Sequence, residues 1–309
     1  MLDIDFKQYK LLTHKSPEDH RDFITTAIIP QDIILPSKFS LKDKIKITLD
    51  QKQYGICAGC AGADMKNVQE VVDSNVPNNG FSPVYLYTLA KQIDGIPNVE
   101  GTYPRSIMQV LSNKGALPYN EMPISVLDTL GGKLPTITQD QINKSMPSKI
   151  ASYAQVPKDI NISALKQAMV STQSPVIMGI AVSNSFYYPE QRKYVAKPVG
   201  TMYGGHAITV VSYDDNMTFT YQDGTTEVGF IEIHTSWSSN WANEGFAYIP
   251  YSAMNWVFGN NQWPFIFEMW SSIDEHSDAP QPEKPKYWRI NTGSFLVKTN
   301  AQNYQIQLK

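Results

Sequence analysis

The chain has 309 residues, of which 42% are hydrophobic and 18% are charged, and its formal net charge is -3. This composition is typical of a globular protein with one large domain or two lobes. The sequence contains neither a basic cluster interleaved with aromatic residues nor an apolar run of about 18 residues, so we expect no nucleic-acid partner and no membrane span.

Residues 1–40 form a predicted N-terminal extension. Its first 30 residues are polar and mixed, and we expect His14 and His20 to lie on a solvated surface because they lack metal-ligand spacing. Short apolar pieces further along are interrupted by prolines, which favours an extended chain laid over the domain that follows.

The only two cysteines, Cys57 and Cys60, follow a polar loop and begin a predicted helix. Apolar residues recur at helical spacing as far as residue 72. Gly59 and Gly62 each cost about 1 kcal/mol of helix propensity relative to alanine, which indicates that another backbone approaches this helix closely. A thiol at a helix N-terminus favours the thiolate, because the helix dipole stabilises negative charge.

Three further helices are predicted from their capping residues. Ser82-Pro83 begins one helix, Ser106 begins a second that Gly115 ends, and Ser163 caps a third. Residues 118–148 are rich in proline, glycine, threonine and serine, and we expect them to form a long irregular connection.

The pattern changes from helical spacing to buried strands after residue 175. Strands are predicted at residues 176–182, 204–215, 230–234, 245–250 and 265–270. Because the helices precede strands of antiparallel type, the order predicts an α+β fold with two lobes and not a doubly wound sheet. Residues 41–275 would form this domain.

Residues 276–309 are predicted to form a linker and a C-terminal segment. The stretch 278–285 is rich in proline, which is typical of a linker. Beyond it Phe295, Val297, Tyr304 and Ile306 alternate with polar residues, a pattern that favours a terminal β-hairpin.

Four sequence blocks occur in one fixed order. They are Asp50-Gln51 with Cys57, Phe81-Ser82-Pro83 with Lys91-Gln92-Ile93-Asp94-Gly95, Gly204-Gly205-His206-Ala207, and Ser236-Trp237 with Trp241 and Glu244-Gly245-Phe246. In these blocks the chain resembles the papain-like (C1 family) cysteine peptidases, of the bacterial type that lacks the eukaryotic disulfides.

This resemblance implies a papain-like two-lobe fold with the active-site cleft between an α-rich lobe that holds Cys57 and an antiparallel β lobe that holds His206. It implies a thiol endopeptidase that acts on a peptide or protein substrate, without a metal or organic cofactor. We also expect a monomer that is secreted or periplasmic, as such bacterial enzymes usually are. Residues 1–40 would then be either an extension of the mature enzyme or a remnant propeptide that blocks the cleft.

The chemistry of acyl transfer requires a nucleophile, a base and donors for an oxyanion. Cys57 supplies the thiol, His206 the imidazole, and Gln51 a side-chain N–H beside the backbone N–H of Cys57. The family has asparagine directly before Ser-Trp, whereas this chain has Thr235. A threonine hydroxyl can accept from the imidazole but is shorter and rotates, so the departure bears on catalytic efficiency. Trp237 would shield this hydrogen bond from water.

Either cysteine could be the nucleophile on local grounds. The family usually has a second cysteine three residues before the nucleophile, which favours Cys60. The six-residue spacing from glutamine to nucleophile fits Gln51 and Cys57, however, and assigning Cys60 would bury Asp64 at a position where a carboxylate is costly. We therefore predict Cys57 as the nucleophile, Cys60 as a core thiol, and His234 as a core or surface histidine that faces away from the site.

Three alternative functions stay open at this level. The absence of asparagine at Thr235 is consistent with an inactive papain-like binding protein. A cysteine acyltransferase or amidase could use the same dyad on another substrate. The Cys-Ala-Gly-Cys motif could also be a redox pair, although the length and the many downstream strands do not fit a redoxin.

Overall fold

A computed structural model describes residues 6–25, 29, 33–73, 80–157, 162–258, 263–275, 287–290 and 293–296. The helices are α1 (Cys57–Val72), α2 (Pro83–Lys91), α3 (Pro104–Asn113), α4 (Ser125–Thr129), α5 (Gln139–Ser145), α6 (Ile162–Thr172) and α7 (Asn184–Tyr187). The strands are β1 (Lys38–Ser40), β2 (Ile150–Gln155), β3 (Val176–Val182), β4 (Gly204–Thr220), β5 (Thr226–His234), β6 (Phe246–Pro250), β7 (Val257–Phe258), β8 (Trp263–Pro264), β9 (Ile266–Asp274), β10 (Tyr287–Ile290) and β11 (Gly293–Leu296).

The central helix α1 packs directly against α2 and α3. A Cβ atom built on Gly59 would lie 2.4 Å from the carbonyl oxygen of Pro83 in α2, and one built on Gly62 would lie 2.4 Å from a methyl group of Ile107 in α3. The predicted close approach of another backbone is therefore confirmed at Gly59, whereas at Gly62 the close neighbours are side chains. Helix α2 begins where it was predicted, because the Ser82 side chain accepts a hydrogen bond from the backbone N–H of Tyr85.

A seven-stranded antiparallel sheet forms the β part of the fold. Its strand order is β2-β9-β3-β4-β5-β6, and β1 pairs with the middle of β4. The five predicted strands are all present. Strands β4 and β5 are longer than predicted, because the residues at their distal ends are exposed and polar and lack the apolar pattern that predicts a buried strand. Strands β1 and β2 were not predicted.

The stretch 118–148 is not the irregular connection that its composition predicted. It contains α4 and α5, and α5 begins with a capping box in which Thr138 and Gln141 satisfy each other's backbone N–H groups. A threonine followed three residues later by glutamine is a recognised helix-start signal, so α5 could have been predicted from the sequence.

The two faces of β4 belong to two hydrophobic cores. Ala207 packs with the residues of α1, α2 and α3, whereas Ile208 and Val210 pack with the core that contains Trp237 and Trp241. Neighbouring residues of a strand point to opposite faces, so β4 joins the helical side of the molecule to the β side. This α+β arrangement with two cores matches the predicted fold class.

A two-stranded antiparallel sheet, β10 with β11, lies in the C-terminal segment. Of the residues that favoured a terminal hairpin, Phe295 belongs to β11, and the others lie outside the described residues. Among the helices that the structure describes, none combines the length and the apolar character that a membrane span needs.

Candidate active site

Cys57 is the first residue of α1, and Ile56 occupies the N-cap position. Its side chain is fully buried, and Sγ lies 2.9 Å from the hydroxyl oxygen of Thr13. The free N–H groups of the first helical turn surround this position, so the positive end of the helix dipole lies beside the sulfur. The predicted nucleophile is thus held at a helix start, and its immediate partner comes from the N-terminal extension.

His206 lies near the start of β4 and is hydrogen-bonded to the predicted third residue. Its Nε2 is 2.7 Å from Oγ1 of Thr235, which follows β5, and the backbone N–H of Thr235 donates to the carbonyl of Gly245. The ring of Trp237 lies 4.8 Å from the imidazole, centroid to centroid, and is fully buried. Thr235 therefore does reach the imidazole, and Trp237 covers the pair as predicted.

The other ring nitrogen of His206, Nδ1, has no hydrogen-bond partner in the part of the chain that the structure describes. Burial lowers the pKa of His206 to about 3, so the imidazole is neutral in this state of the molecule. When Nε2 carries the proton and donates it to Thr235, Nδ1 keeps a free lone pair. That nitrogen is the one left to act as a base.

Gln51 is fully buried and makes two hydrogen bonds with Ser236. Its backbone N–H donates to the carbonyl of Ser236, and its side-chain oxygen accepts from the Ser236 hydroxyl at 2.8 Å. The Nε2 group then points the other way, donating to the carbonyl oxygens of Lys10 at 3.1 Å and Tyr54 at 3.0 Å. The Ser236 hydroxyl thus fixes the orientation of the Gln51 amide, with its NH₂ group directed towards the carbonyls of Lys10 and Tyr54.

The N-terminal extension runs through the site between Cys57 and His206. The backbone N–H of Thr13 donates to the carbonyl of Gly205, the residue before His206, and the N–H of His14 donates to the carbonyl of Thr102. We call residues 9–14 the cleft segment. Because Thr13 contacts both Cys57 and Gly205, the segment places the predicted nucleophile and the strand of the predicted base on either side of one extended backbone.

Glycines line the walls where the cleft segment lies. A Cβ on Gly101 would lie 1.8 Å from the carbonyl oxygen of Leu12, and one on Gly205 would lie 2.0 Å from that of Thr13. On Gly204 the corresponding distance to the carbonyl of Leu11 would be 2.5 Å. Side chains at these positions would exclude the segment, so the walls form a groove shaped for a peptide backbone.

The second cysteine, Cys60, lies behind the groove with a buried polar pair. Burial raises the pKa of the Cys60 thiol well above its usual range, although a hydrogen bond with Ser236 acts in the opposite direction. Nearby, Asp64 pairs with Nδ1 of His234 at 2.8 Å, and the other nitrogen of His234 bonds to the hydroxyl of Thr48.

The position of this pair confirms His234 as a core histidine. It also shows that one reason for rejecting Cys60 was wrong, because Asp64 is buried and the hydrogen bond from His234 offsets its desolvation. The described residues contain no group of three or more histidine, cysteine, aspartate or glutamate side chains arranged to hold a metal ion.

The comparisons with known proteins place this geometry in a family. The family model described as papain family cysteine protease matches residues 35–258 of the chain. The chain belongs to the papain family of cysteine proteases. It is therefore a cysteine-type peptidase, and the predictions of its family, enzyme class and α+β papain-like fold are confirmed.

Solved structures of papain-family proteins resemble the chain in fold. Xylellain, a cysteine protease from Xylella fastidiosa, is 23% identical with a TM-score of 0.67, covering 86% of this chain and 97% of that one. Procathepsin B S9 from Trypanosoma congolense is 15% identical with a TM-score of 0.60, covering 88% and 89% of the two chains. Bromelain from Ananas comosus, solved with the inhibitor E64, is 17% identical with a TM-score of 0.54, covering 78% and 100%. No curated protein matched the sequence.

Three polar residues of the site were not predicted from the sequence. Ser236 was used only as part of a family block, and its hydroxyl holds Gln51. Lys10 and Thr13 lie in a stretch without a recognisable motif, yet they make the contacts to Gln51 and Cys57. No local pattern distinguishes them, because their roles depend on where the fold places the extension.

Proposed function

We propose that the protein is an endopeptidase that cleaves peptide bonds through a thioester on Cys57, with His206 as base and acid. The observation that supports this most strongly is the extended backbone in the glycine-lined groove. Its Lys10 carbonyl accepts from the Gln51 amide, and the Thr13 hydroxyl contacts the Cys57 thiol. A groove that accommodates an extended chain in contact with a thiol is suited to a peptide or protein substrate.

The first half of the proposed cycle forms the thioester on Cys57. The thiol of Cys57 gives its proton to Nδ1 of His206, and Sγ attacks the substrate carbonyl carbon. The side-chain N–H of Gln51 and the backbone N–H of Cys57 stabilise the resulting oxyanion. As the tetrahedral intermediate collapses, the C–N bond breaks and His206 protonates the leaving amine.

Deacylation completes the cycle. Water attacks the thioester carbonyl while Nδ1 of His206 takes one of its protons. The acid product then leaves, and the proton returns to the sulfur, so the enzyme is regenerated without a cofactor.

Thr235 supports an active enzyme over an inactive binding protein. Its hydroxyl lies 2.7 Å from Nε2 of His206 inside a buried site, close enough to orient the ring. Holding the Nε2 proton there leaves Nδ1 as the basic nitrogen. The substitution of asparagine by threonine thus keeps the function of the hydrogen bond, and we assign Thr235 as the residue that orients the base.

Other properties are part of the same proposal. We expect a secreted or periplasmic monomer, as predicted from the resemblance. The neighbouring Cys60 would serve only in packing, because it is buried behind the groove, where burial raises the pKa of its thiol.

Alanine substitution of each cysteine tests the assignment. We expect Cys57→Ala to abolish hydrolysis of a fluorogenic peptide library and Cys60→Ala, the matched control, to retain it. An epoxide thiol inhibitor followed by peptide mapping should place the adduct on Cys57. An adduct on Cys60, or a Cys57→Ala variant with full hydrolysis, would contradict the mechanism. Hydrolysis limited to small amides would favour the amidase alternative.

A further inference from the structure

Lys91 is the last residue of α2, and its ammonium group lies inside the loop that connects α2 to α3. We call residues 94–102 the wall loop. Four oxygen atoms of this loop lie within hydrogen-bond distance of Nζ of Lys91 and share its three N–H groups. They are Oδ2 of Asp94 at 2.8 Å and the carbonyl oxygens of Ile96, Val99 and Gly101 at 2.8, 2.7 and 3.0 Å. The Lys91 side chain is 8% exposed and that of Asp94 is fully buried, so water competes little for these bonds.

The same ion pair reaches the far end of the wall loop. Oδ2 of Asp94 also accepts a hydrogen bond from the hydroxyl of Thr102 at 2.9 Å. The backbone N–H of Gly101 donates at 2.8 Å to the hydroxyl of Tyr87, which lies one helical turn before Lys91. Helix α2 therefore holds both the start and the end of the loop.

Apolar packing contributes little to the order of the wall loop. Val99 is 47% exposed, and Ile93 just before the loop is 51% exposed. The only two cysteines of the chain are free thiols in α1, so no disulfide can hold the loop either. Hydrogen bonds to a charged group are roughly twice as strong as those between neutral groups. The bonds to Lys91 are therefore the main restraint on the loop.

The end of the wall loop forms one side of the groove. The carbonyl of Thr102 accepts a hydrogen bond at 3.2 Å from the backbone N–H of His14, and Thr13 and Thr102 form a parallel β-bridge. Thr13 is also the residue that contacts the thiol of Cys57. An extended chain in the groove thus pairs with Thr102 one residue away from its contact with the sulfur.

These contacts lead us to propose that Lys91 is a positioning residue for peptide substrates. Its ammonium group holds the wall loop so that the Thr102 carbonyl meets a backbone N–H of the substrate. This role rests on the proposed function of the groove. Because the contact is made to a backbone group, it favours extended peptides of any sequence over substrates too short to reach Thr102.

Removal of the ammonium group in Lys91→Met tests the role by its effect on substrate binding. We expect KM for a fluorogenic peptide to rise about three- to tenfold, the effect of losing one backbone hydrogen bond, with kcat within about twofold. For the p-nitrophenyl ester of a single blocked amino acid, which does not reach Thr102, KM should stay within about twofold. All variants carry Tyr9→Ala, which loosens the cleft segment because the ring of Tyr9 stacks on Trp237.

Lys166→Met is the matched control for the loss of a buried lysine. The Lys166 side chain is 11% exposed, and its ammonium group bonds both carboxylate oxygens of Asp215 at 2.7 and 2.8 Å. It makes no contact with the wall loop among these bonds, so KM for the peptide should not change. An equal rise of KM in both variants would overturn the role of Lys91.

Hydrogen–deuterium exchange tests the wall loop without any substrate. The backbone N–H of Ile96 is bonded to Oδ1 of Asp94 and that of Gly101 to Tyr87. In Lys91→Met, exchange in the fragment of residues 94–102 should be at least about fivefold faster, because the loop opens more often. Exchange within α3 should be unchanged. Unchanged exchange in the wall loop would overturn the proposal.

Free ammonium ions should rescue a variant that leaves room for them. In Lys91→Ala, the ion brings four N–H groups to the four oxygen atoms that Lys91 otherwise binds. Ammonium chloride should therefore lower the raised KM towards that of the parent. Tetramethylammonium chloride at the same concentration has no N–H group and should not. Equal effects of the two salts would show that an ammonium group is not what holds the loop.

Asp94→Asn tests the same network if Lys91→Met does not fold. The two carboxylate oxygens of Asp94 accept bonds from Lys91, the N–H of Ile96 and the hydroxyl of Thr102, whereas an amide offers only one oxygen. We expect a rise of KM by about two- to fivefold with faster exchange in the wall loop. A folded Asp94→Asn variant with the KM of its parent would contradict the proposal.

This proposal and the proposed function fail in distinguishable ways. If Lys91→Met exchanges faster in the wall loop but hydrolyses peptides with the KM of its parent, the peptidase function stands and the positioning role is wrong. If neither the parent nor any variant hydrolyses a peptide while Lys91→Met exchanges faster, Lys91 holds the loop and the peptidase function is wrong.

Discussion

Removal of the Thr235 hydroxyl gives the sharpest test of how this site orients its base. In Thr235→Val the shape is kept, and the 2.7 Å hydrogen bond to His206 Nε2 is lost. A buried group left without its partner costs about 1–3 kcal/mol. If that cost falls on the transition state, where the imidazole must be correctly oriented, kcat/KM falls about 5- to 160-fold, at about 1.36 kcal/mol for each factor of ten.

The assay is hydrolysis of a fluorogenic peptide in a Tyr9→Ala background. The ring of Tyr9 stacks on Trp237, so its removal weakens the hold of the cleft segment on the site. We expect the loss in kcat with little change in KM, because Thr235 is proposed to orient the base and is not among the residues that line the walls of the groove. Thr88→Val is the matched control, since Thr88 is a buried threonine whose hydroxyl has no hydrogen-bond partner among the described residues. Thr235→Asn should retain most activity, because its side-chain oxygen can accept from Nε2–H. A folded Thr235→Val variant with kcat within about twofold of its parent would refute this reasoning.

Three further outcomes are expected. Cys60→Ala should change kcat/KM by less than about threefold, because a cysteine sulfur forms only weak hydrogen bonds; a larger loss in the peptide assay would give Cys60 a direct role. Burial next to Asp274 raises the pKa of Asp73 from 3.8 to about 6, so the stability from its protonated form is present below about pH 4 and lost as the pH rises through about 6. Asp73→Asn should therefore stabilise the protein by about 1 kcal/mol at pH 7, after allowance for solvent screening, and by almost nothing at about pH 4; equal effects in urea unfolding at both pH values would contradict this. Asp64→Ala should lower the free energy of unfolding by about 2–3 kcal/mol, because it leaves a nitrogen of buried His234 unpaired, and an unchanged urea midpoint would argue against that pair.

The secondary structure was predictable where one local signal dominated. Small residues and helical spacing located α1, and long apolar runs located β3 and the buried part of β4. The exposed end of β4 was missed because its polar residues resemble a loop and become a strand only by pairing with β5. Strand β2 was missed for a similar reason, since its residues alternate weakly and are ordered by the pairing with β9.

The site was predictable only in part, because its residues come from segments far apart in the chain. The positions of Cys57 and His206 could be named from the family blocks, and the structure places one at a helix start and the other on a strand. The pairing of Asp64 with His234 could not be named, since it depends on how α1 packs against β5. Nor could the contact of Thr13 with the thiol, which no spacing in the sequence encodes.

Three consecutive residues at the end of β5 connect the parts of the proposed site. The side chain of His234 is bonded to Asp64 in α1, that of Thr235 to the proposed base His206, and that of Ser236 to the proposed oxyanion donor Gln51. The backbone holds them in register, because Thr235 donates to the carbonyl of Gly245 and the Ser236 carbonyl accepts from Gln51.

A shift at the end of β5 would therefore displace His206 and Gln51 together relative to the Cys57 thiol. This linkage gives the Asp64–His234 pair a consequence beyond stability. If the pair sets the position of the strand end, Asp64→Ala should lower kcat even at temperatures where the protein is fully folded. If the pair only stabilises the core, the folded variant should keep its kcat, so hydrolysis measured well below the unfolding transition separates the two roles.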